Sequence, residues 1–355
     1  MKKVLLGTTA IIGASVVLAS AAQAEAPKLS MSGNVKFEMA GVDQDADAFN
    51  RGYKFYTDDA EIVFKASSTA DNGLEYGAKI EYEFENNGTD EAMIWLSGDW
   101  GLVQMGNEDG AEDAVKVGGW SVLGATGGWD GEMPAENFDA LDGPSLAGDS
   151  SDATKISYFT PSFNGFRAGV SFTPDFGHEY DAAPSETDDD VSNALGFGLE
   201  YKGTFSEVGV HVSGRYAMGE YEGDGTATDS DQEDVSAFAL GAKFDYAGFS
   251  LGIGYADNGD SGAVKGTTAD GGQWFDIAVG YATGPYAVAA GWYTSEKDLA
   301  GSAEAEADVF SLTGDYTVAD GLGIYAEYDY VDIDETGTAS DNEANVFIVG
   351  TKVSF

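Results

Sequence analysis

Carboxylates dominate the chemistry available to this chain. Its 355 residues include 62 Asp and Glu, 17 Lys and Arg, two histidines and no cysteine. Without cysteine there are no thiolate nucleophiles, thiolate metal centres or disulfides. His178 lies in a polar connecting stretch and His211 in the middle of an alternating segment. No metal site or Ser-His-Asp arrangement can be assembled from these two, so an enzyme is not expected. The acidic runs at 43–47, 186–190 and 229–234 could bind Ca²⁺ weakly through carboxylate oxygens. None has the twelve-residue spacing of a helix–loop–helix calcium loop, and solvated acidic loops are the plainer reading. The Gly-rich stretches lack the Gly-Lys-Ser/Thr ending of a phosphate loop. A net charge of −45 disfavours nucleic acid, whose phosphates need clustered Lys and Arg.

The elements that must position these charges have a period of two. In 74–85, Leu74, Tyr76, Ala78, Ile80, Tyr82 and Phe84 share one face, and Glu75, Gly77, Lys79, Glu81, Glu83 and Glu85 the other. The stretches 195–202 and 249–255 repeat the pattern: one face apolar and often aromatic, the other small, glycine or charged. Sixteen candidate strands follow, from 28–42 to 343–355. Short turns such as 71–73, 161–165 and 246–248 alternate with longer acidic connections, of which 109–153 is the longest.

The two ends set the compartment. Residues 1–24 carry Lys2 and Lys3, an apolar stretch and small residues Ala22 and Ala24, so they read as a cleaved secretory signal, leaving 25–355 as the mature domain. The alternation of Phe347, Val349, Val353 and Phe355 carries a final strand to the chain end. No later run holds the apolar length a spanning helix needs, so a membrane form has to be a closed barrel. A soluble β-sandwich would also alternate. Against it stand the long strands, the glycine-lined polar face and aromatics such as Tyr158, Tyr246, Tyr281 and Tyr286 near strand ends. The expected fold is all-β, a sixteen-stranded antiparallel up-and-down transmembrane barrel.

Three stretches resemble the general diffusion porins of Gram-negative bacteria, in particular the sixteen-stranded porins of alpha-proteobacteria. They are 91–114, with its "LSGDWG" hairpin, 154–175, with "YFTPSFNGF", and the Phe355 terminus. The resemblance implies a homotrimer in the outer membrane, in contact with lipid and lipopolysaccharide, with each barrel a water-filled passage for ions and small hydrophilic solutes. It also implies that the third external loop, here 109–153, folds into the lumen. Acidic groups on that loop, Asp130, Glu132, Glu136, Asp139 and Asp142, would then face a basic wall. Strand parity offers Lys36, Lys65, Lys79, Lys155 and Arg167 for that wall, with Lys202 and Arg215 on the same side. Asn107 stands where many porins carry an arginine. The excess of lumen-side acids, including Glu200, Asp276, Glu327 and Asp329, points to cation preference. No cofactor is required. A substrate-specific outer-membrane channel and a non-conducting structural or adhesin barrel are the alternatives.

Overall fold

The computed structural model describes residues 26–45, 52–84, 88–131, 145–177, 190–222, 232–301, 303–336 and 341–355. The 1–24 segment and four of the loop acids named above, Glu132, Glu136, Asp139 and Asp142, lie outside the described residues.

Sixteen strands close into one antiparallel barrel in chain order, the first paired with the last. They are β1 (Lys28–Gln44), β2 (Tyr53–Thr69), β3 (Glu75–Glu83), β4 (Gly88–Gly98), β5 (Gly101–Asn107), β6 (Thr154–Phe159), β7 (Phe166–Asp175) and β8 (Val191–Phe205). The circuit continues through β9 (Val208–Tyr221), β10 (Val235–Tyr246), β11 (Phe249–Asp257), β12 (Gln273–Thr283), β13 (Tyr286–Leu299), β14 (Ala303–Ala319), β15 (Leu322–Glu335) and β16 (Asn342–Ser354). Closure leaves no unpaired sheet edge, which is the condition for strands to cross hydrocarbon. The final residue takes part: Gly33 and Phe355 exchange two backbone hydrogen bonds of 3.0 Å.

Alternation sets the two faces. Phe37, Met39, Ile94, Leu199, Leu240, Val279, Leu312 and Phe347 point outward and are exposed. Outward aromatics meet as cross-strand pairs near both ends. Phe166–Tyr201, Phe249–Tyr281 and Tyr286–Tyr316 lie 4.6–5.0 Å apart at the short-turn end. Phe37–Phe55, Phe238–Tyr255 and Phe275–Trp292 lie 6.1–6.5 Å apart toward the long-loop end. Such pairs suit the two interfaces of a bilayer.

Turn chemistry fits the hairpins. Asn164–Gly165 and Ala247–Gly248 have positive φ at both positions, the mirror-image turn that matches strand twist. At Asp59 (φ 53) a bulge between β1 and β2 turns Asp58 and Asp59 toward Lys36.

Two differences from the periodic reading have physical causes. β14 begins at Ala303, where alternation suggests 308, because its outward residues there are Glu304 and Glu306 rather than apolar ones. The inward face is also not uniformly polar. Val309, Val331, Ile333, Val346 and Ile348 point inward and are fully buried. They belong to an apolar cluster with Trp129 and Leu146 of the 108–153 connection, against which Trp120, Val122 and Leu123 also pack.

Candidate functional site: a loop latched to the inner wall

The 108–153 connection begins and ends at one lysine. Lys155 donates to the backbone carbonyls of Glu108 and Ser151, and at 3.5 Å to that of Ser150. Beside it Thr154 donates to the Asn107 side chain at 3.1 Å. Asn107 thus ties the loop base at the position expected for an arginine. Lys155 is 3% exposed, and its ammonium serves the loop rather than open solvent.

From that base, residues 111–129 run along the inward faces of β7 to β15 on a track of glycines. A side-chain carbon at Gly198, Gly241 or Gly252 would overlap the carbonyl of Ala111, Val117 or Gly118. One at Gly291 would overlap the ring of Trp129, which stacks on Tyr293 at 6.1 Å. By parity alone these glycines would simply line the lumen. Their contacts give a sharper reason: the wall lacks Cβ atoms where the loop backbone lies on it.

Carboxylates on the far wall receive the loop's backbone N–H groups. Gly119 and Trp120 donate to Asp276 at 2.8 and 3.3 Å. Gly124 donates to the Thr313 hydroxyl at 3.0 Å and Ala125 to Asp315 at 2.9 Å. Glu327 accepts from the Thr126 hydroxyl at 2.5 Å and from the N–H groups of Thr126 and Gly128 at 3.2 and 3.3 Å. An irregular segment inside a barrel must satisfy its own polar groups, and here the wall does so. At the other end Glu112, 1% exposed, accepts from Ser171 at 2.8 Å and Ser150 at 3.3 Å. The return arm is held by Trp274, whose ring N–H donates to the Ser145 carbonyl at 2.6 Å, and by Asn258, which accepts from Ala147 at 2.9 Å.

These latches change the expected charge inventory. Asp276, Glu327 and Asp329 do face inward, but each is at most 1% exposed. They hold structure and do not line open water; Asp329 takes the Ser311 hydroxyl at 2.5 Å. Asp130 behaves differently. It ends the short 3₁₀ turn Gly128–Asp130 and its side chain is open. Wall and loop nevertheless surround it, and this desolvation, opposed by Lys116, pushes its carboxyl up to about 6. Burial and neighbouring acids also raise Asp109 and Asp149. Burial works against the charge of Lys116, yet Asp113, bonded to it at 2.8 Å, outweighs that and pulls its pKa up.

The wall cations are individually answered. Lys36 pairs with Asp58 at 3.3 Å and Asp59 at 2.8 Å. Lys79 bonds Glu91, Glu81 at 3.1 Å and Glu108 at 2.7 Å. The carboxylates of Glu91, Glu108 and Asp109 gather closely enough to hold a metal ion, but the Lys79 ammonium already stands against Glu91 and Glu108. Lys65 lies 4.8 Å from the ring centre of the inward Trp95. Arg167 (2.7 Å), Lys202 (2.7 Å) and His211 (3.1 Å) share Glu200. Lys202, His211 and Lys243 stand directly opposite one another on β8, β9 and β10.

The pattern of the Gram-negative porins matches residues 7–336, nearly the whole chain. The chain belongs to the Gram-negative porin family. With its sixteen-stranded barrel it is an outer-membrane protein.

Among solved structures this porin is similar to the anion-selective porin of Comamonas acidovorans, with a TM-score of 0.66 and 18% identity over 93% of this chain and 100% of that one. It is similar to a mutant of the Rh. blastica porin, with a TM-score of 0.60 and 20% identity over 92% and 100%. A third likeness is to the outer-membrane protein OmpT of Vibrio cholerae, with a TM-score of 0.64 and 17% identity over 93% and 98%. At these identities the likeness is one of fold. Uncharacterized proteins of Rickettsia prowazekii and Rickettsia typhi are each 24% identical, with both chains covered in full.

Of the basic residues expected on the wall of this porin, Lys36, Lys65, Lys79 and Arg167 face inward, and Lys155 is withdrawn into the loop base. The latch acceptors Asp276, Thr313, Asp315 and Glu327 carry no sequence signal as a set. Parity puts them on the inner face, but only the course of the loop selects them.

Proposed function

We propose that this porin is a water-filled channel for passive diffusion of ions and small hydrophilic solutes, with the 109–153 loop narrowing its lumen and cations preferred. One observation carries the reading: the loop crosses the inner wall on latches that occupy buried acids and leave Asp130 open to solvent. Lys36 and Lys79 are each met by two or more carboxylates, which supports cation preference. The patch of Arg167, Lys202 and Lys243 around Glu200 works the other way. The protein acts as a channel and not as a catalyst, and assembles as a homotrimer in contact with lipopolysaccharide. Weak Ca²⁺ binding falls to its outer acidic groups.

Reversal potentials across planar bilayers in a KCl gradient test this reading. The sign of cation selectivity is expected, weakening as salt screens the lumen charges over a Debye length of about 10 Å at 0.1 M. An anion-selective sign refutes the preference, and absence of stable conductance steps refutes the channel. Neutralising Asp130, Glu132, Glu136, Asp139 and Asp142 together should shift the potential more than neutralising the acids of 186–190. Equal shifts remove the 109–153 loop as the constriction.

A further inference from the structure

We infer that Arg215 is the positioning residue that holds the two arms of the 108–153 loop together on the wall, and thereby sets the width of the passage. The inference rests on the loop being the constriction.

The placement is specific. Arg215 faces inward on β9, directly opposite Gly198 of β8 and Ala239 of β10. The outbound arm presses on Gly198 through Ala111 and Val115. The return arm passes just above, where Gly148 lies against Ala217, two residues along the same face of β9. Arg215 therefore lies between the arms. It is 6% exposed, and its Nη1 is buried with no hydrogen-bond partner among the described residues. Acids within its electrostatic reach are Glu112 and Asp113 on the outbound arm, Asp149 on the return arm and Asp130 at the far turn. The Asp113 and Asp149 carboxylates also line a common cleft with Lys116, Trp129, Asp130, Gly131 and Ser145.

The energetics give this a direction. Several like charges are gathered where two arms of irregular chain meet, and each raises the cost of ionising the others. Lys116 is engaged with Asp113 on its own arm. A guanidinium is always charged and weakly hydrated, so it can stay ionised in a half-dry joint where an ammonium would be more strained. Removing one member of a buried charge set leaves the others uncompensated and is strongly destabilising. Replacing all of them by neutral groups of similar shape is close to neutral.

The test uses the full-length protein in planar bilayers, with heat-dependent gel mobility to read the barrel. The variants are Arg215→Met, Arg215→Lys and the triple Arg215→Met, Asp113→Asn, Asp149→Asn. Arg215→Met should keep the barrel and lose the single conductance level, giving wider and scattered steps. Arg215→Lys should recover part of the uniform conductance, and the triple variant most of it. An Arg215→Met channel with wild-type conductance and selectivity overturns the inference, as does a triple variant no better than Arg215→Met. If none of the variants assembles, Arg215 holds the barrel and not the loop, and the inference falls. A wild-type protein that does not conduct would instead refute the channel reading itself.

Discussion

Glu327 on β15 receives Thr126 twice, from its hydroxyl at 2.5 Å and its backbone N–H at 3.2 Å, joining residues 201 apart in sequence. The same carboxylate takes the N–H of Gly128, so one wall side chain closes the turn between the loop's two 3₁₀ segments. Glu327→Ala leaves these donors without acceptors in a place water reaches poorly. Each such loss costs roughly 1–3 kcal/mol. The expected outcome is an assembled barrel whose single-channel conductance rises and whose loop becomes sensitive to added protease. A resistant loop with unchanged conductance would show that the remaining latches suffice.

The glycine track makes a second, steric prediction. Gly241→Val and Gly291→Leu put side chains where the Val117 carbonyl and the Trp129 ring now lie. Overpacking of this kind costs about 1–3 kcal/mol, and the loop is the softer partner. Both variants should change conductance while the barrel still forms. Gly314→Ala is the matching control, because nothing stands within 4 Å of a side-chain carbon there.

Selectivity should depend on pH through Asp130. Its carboxyl is raised to about 6, so it carries charge above that pH and loses it below. Reversal potentials should therefore show cation preference declining between about pH 7 and pH 5, against an unperturbed aspartate near 3.9. The folding consequence has the opposite sense. Because the enclosing wall and loop disfavour the ionised form, this group lowers folded-state stability in full above about 6, and the penalty fades as pH falls toward the unfolded value near 3.9, so the loop should not loosen as selectivity falls. Asp130→Asn should flatten that part of the titration; an unaltered curve would assign it to other groups.

The outward rim of β13 to β16 sets like charges directly opposite one another. Glu296 faces Glu306, Glu306 faces Asp334, Asp308 faces Asp332, and Asp332 faces Glu343. Such pairs destabilise a sheet unless cations or headgroup chemistry offset them. Millimolar Mg²⁺ or Ca²⁺ should raise the thermal midpoint of the purified protein, and a chelator should lower it. The double variant Glu306→Gln, Asp332→Asn should be more stable in chelator and respond less to the metal. A midpoint indifferent to divalent ions in the wild type would show the repulsion is already screened.

Sequence alone determined the barrel because the information is local. Period-two alternation fixes which face each residue takes, as the outward Ile80 and inward Lys79 illustrate, and short turns such as Asn164–Gly165 fix the hairpins. It also marked the long connection and placed Lys36, Lys65, Lys79 and Arg167 on the inner face. Tertiary structure decided which inward charges remain open. Asp276 and Glu327 look like pore-lining acids by parity, yet the loop covers and uses them, while Asp130 stays exposed. Lys155 shares the parity of a wall cation but lies where the loop starts and ends, so its ammonium is taken up by carbonyls. The path of an irregular chain over a wall is set by long-range fit, here by glycines on strands as far apart as β8 (Gly198) and β13 (Gly291) and by acceptors far along the sequence. No repeating pattern in the local sequence encodes that fit.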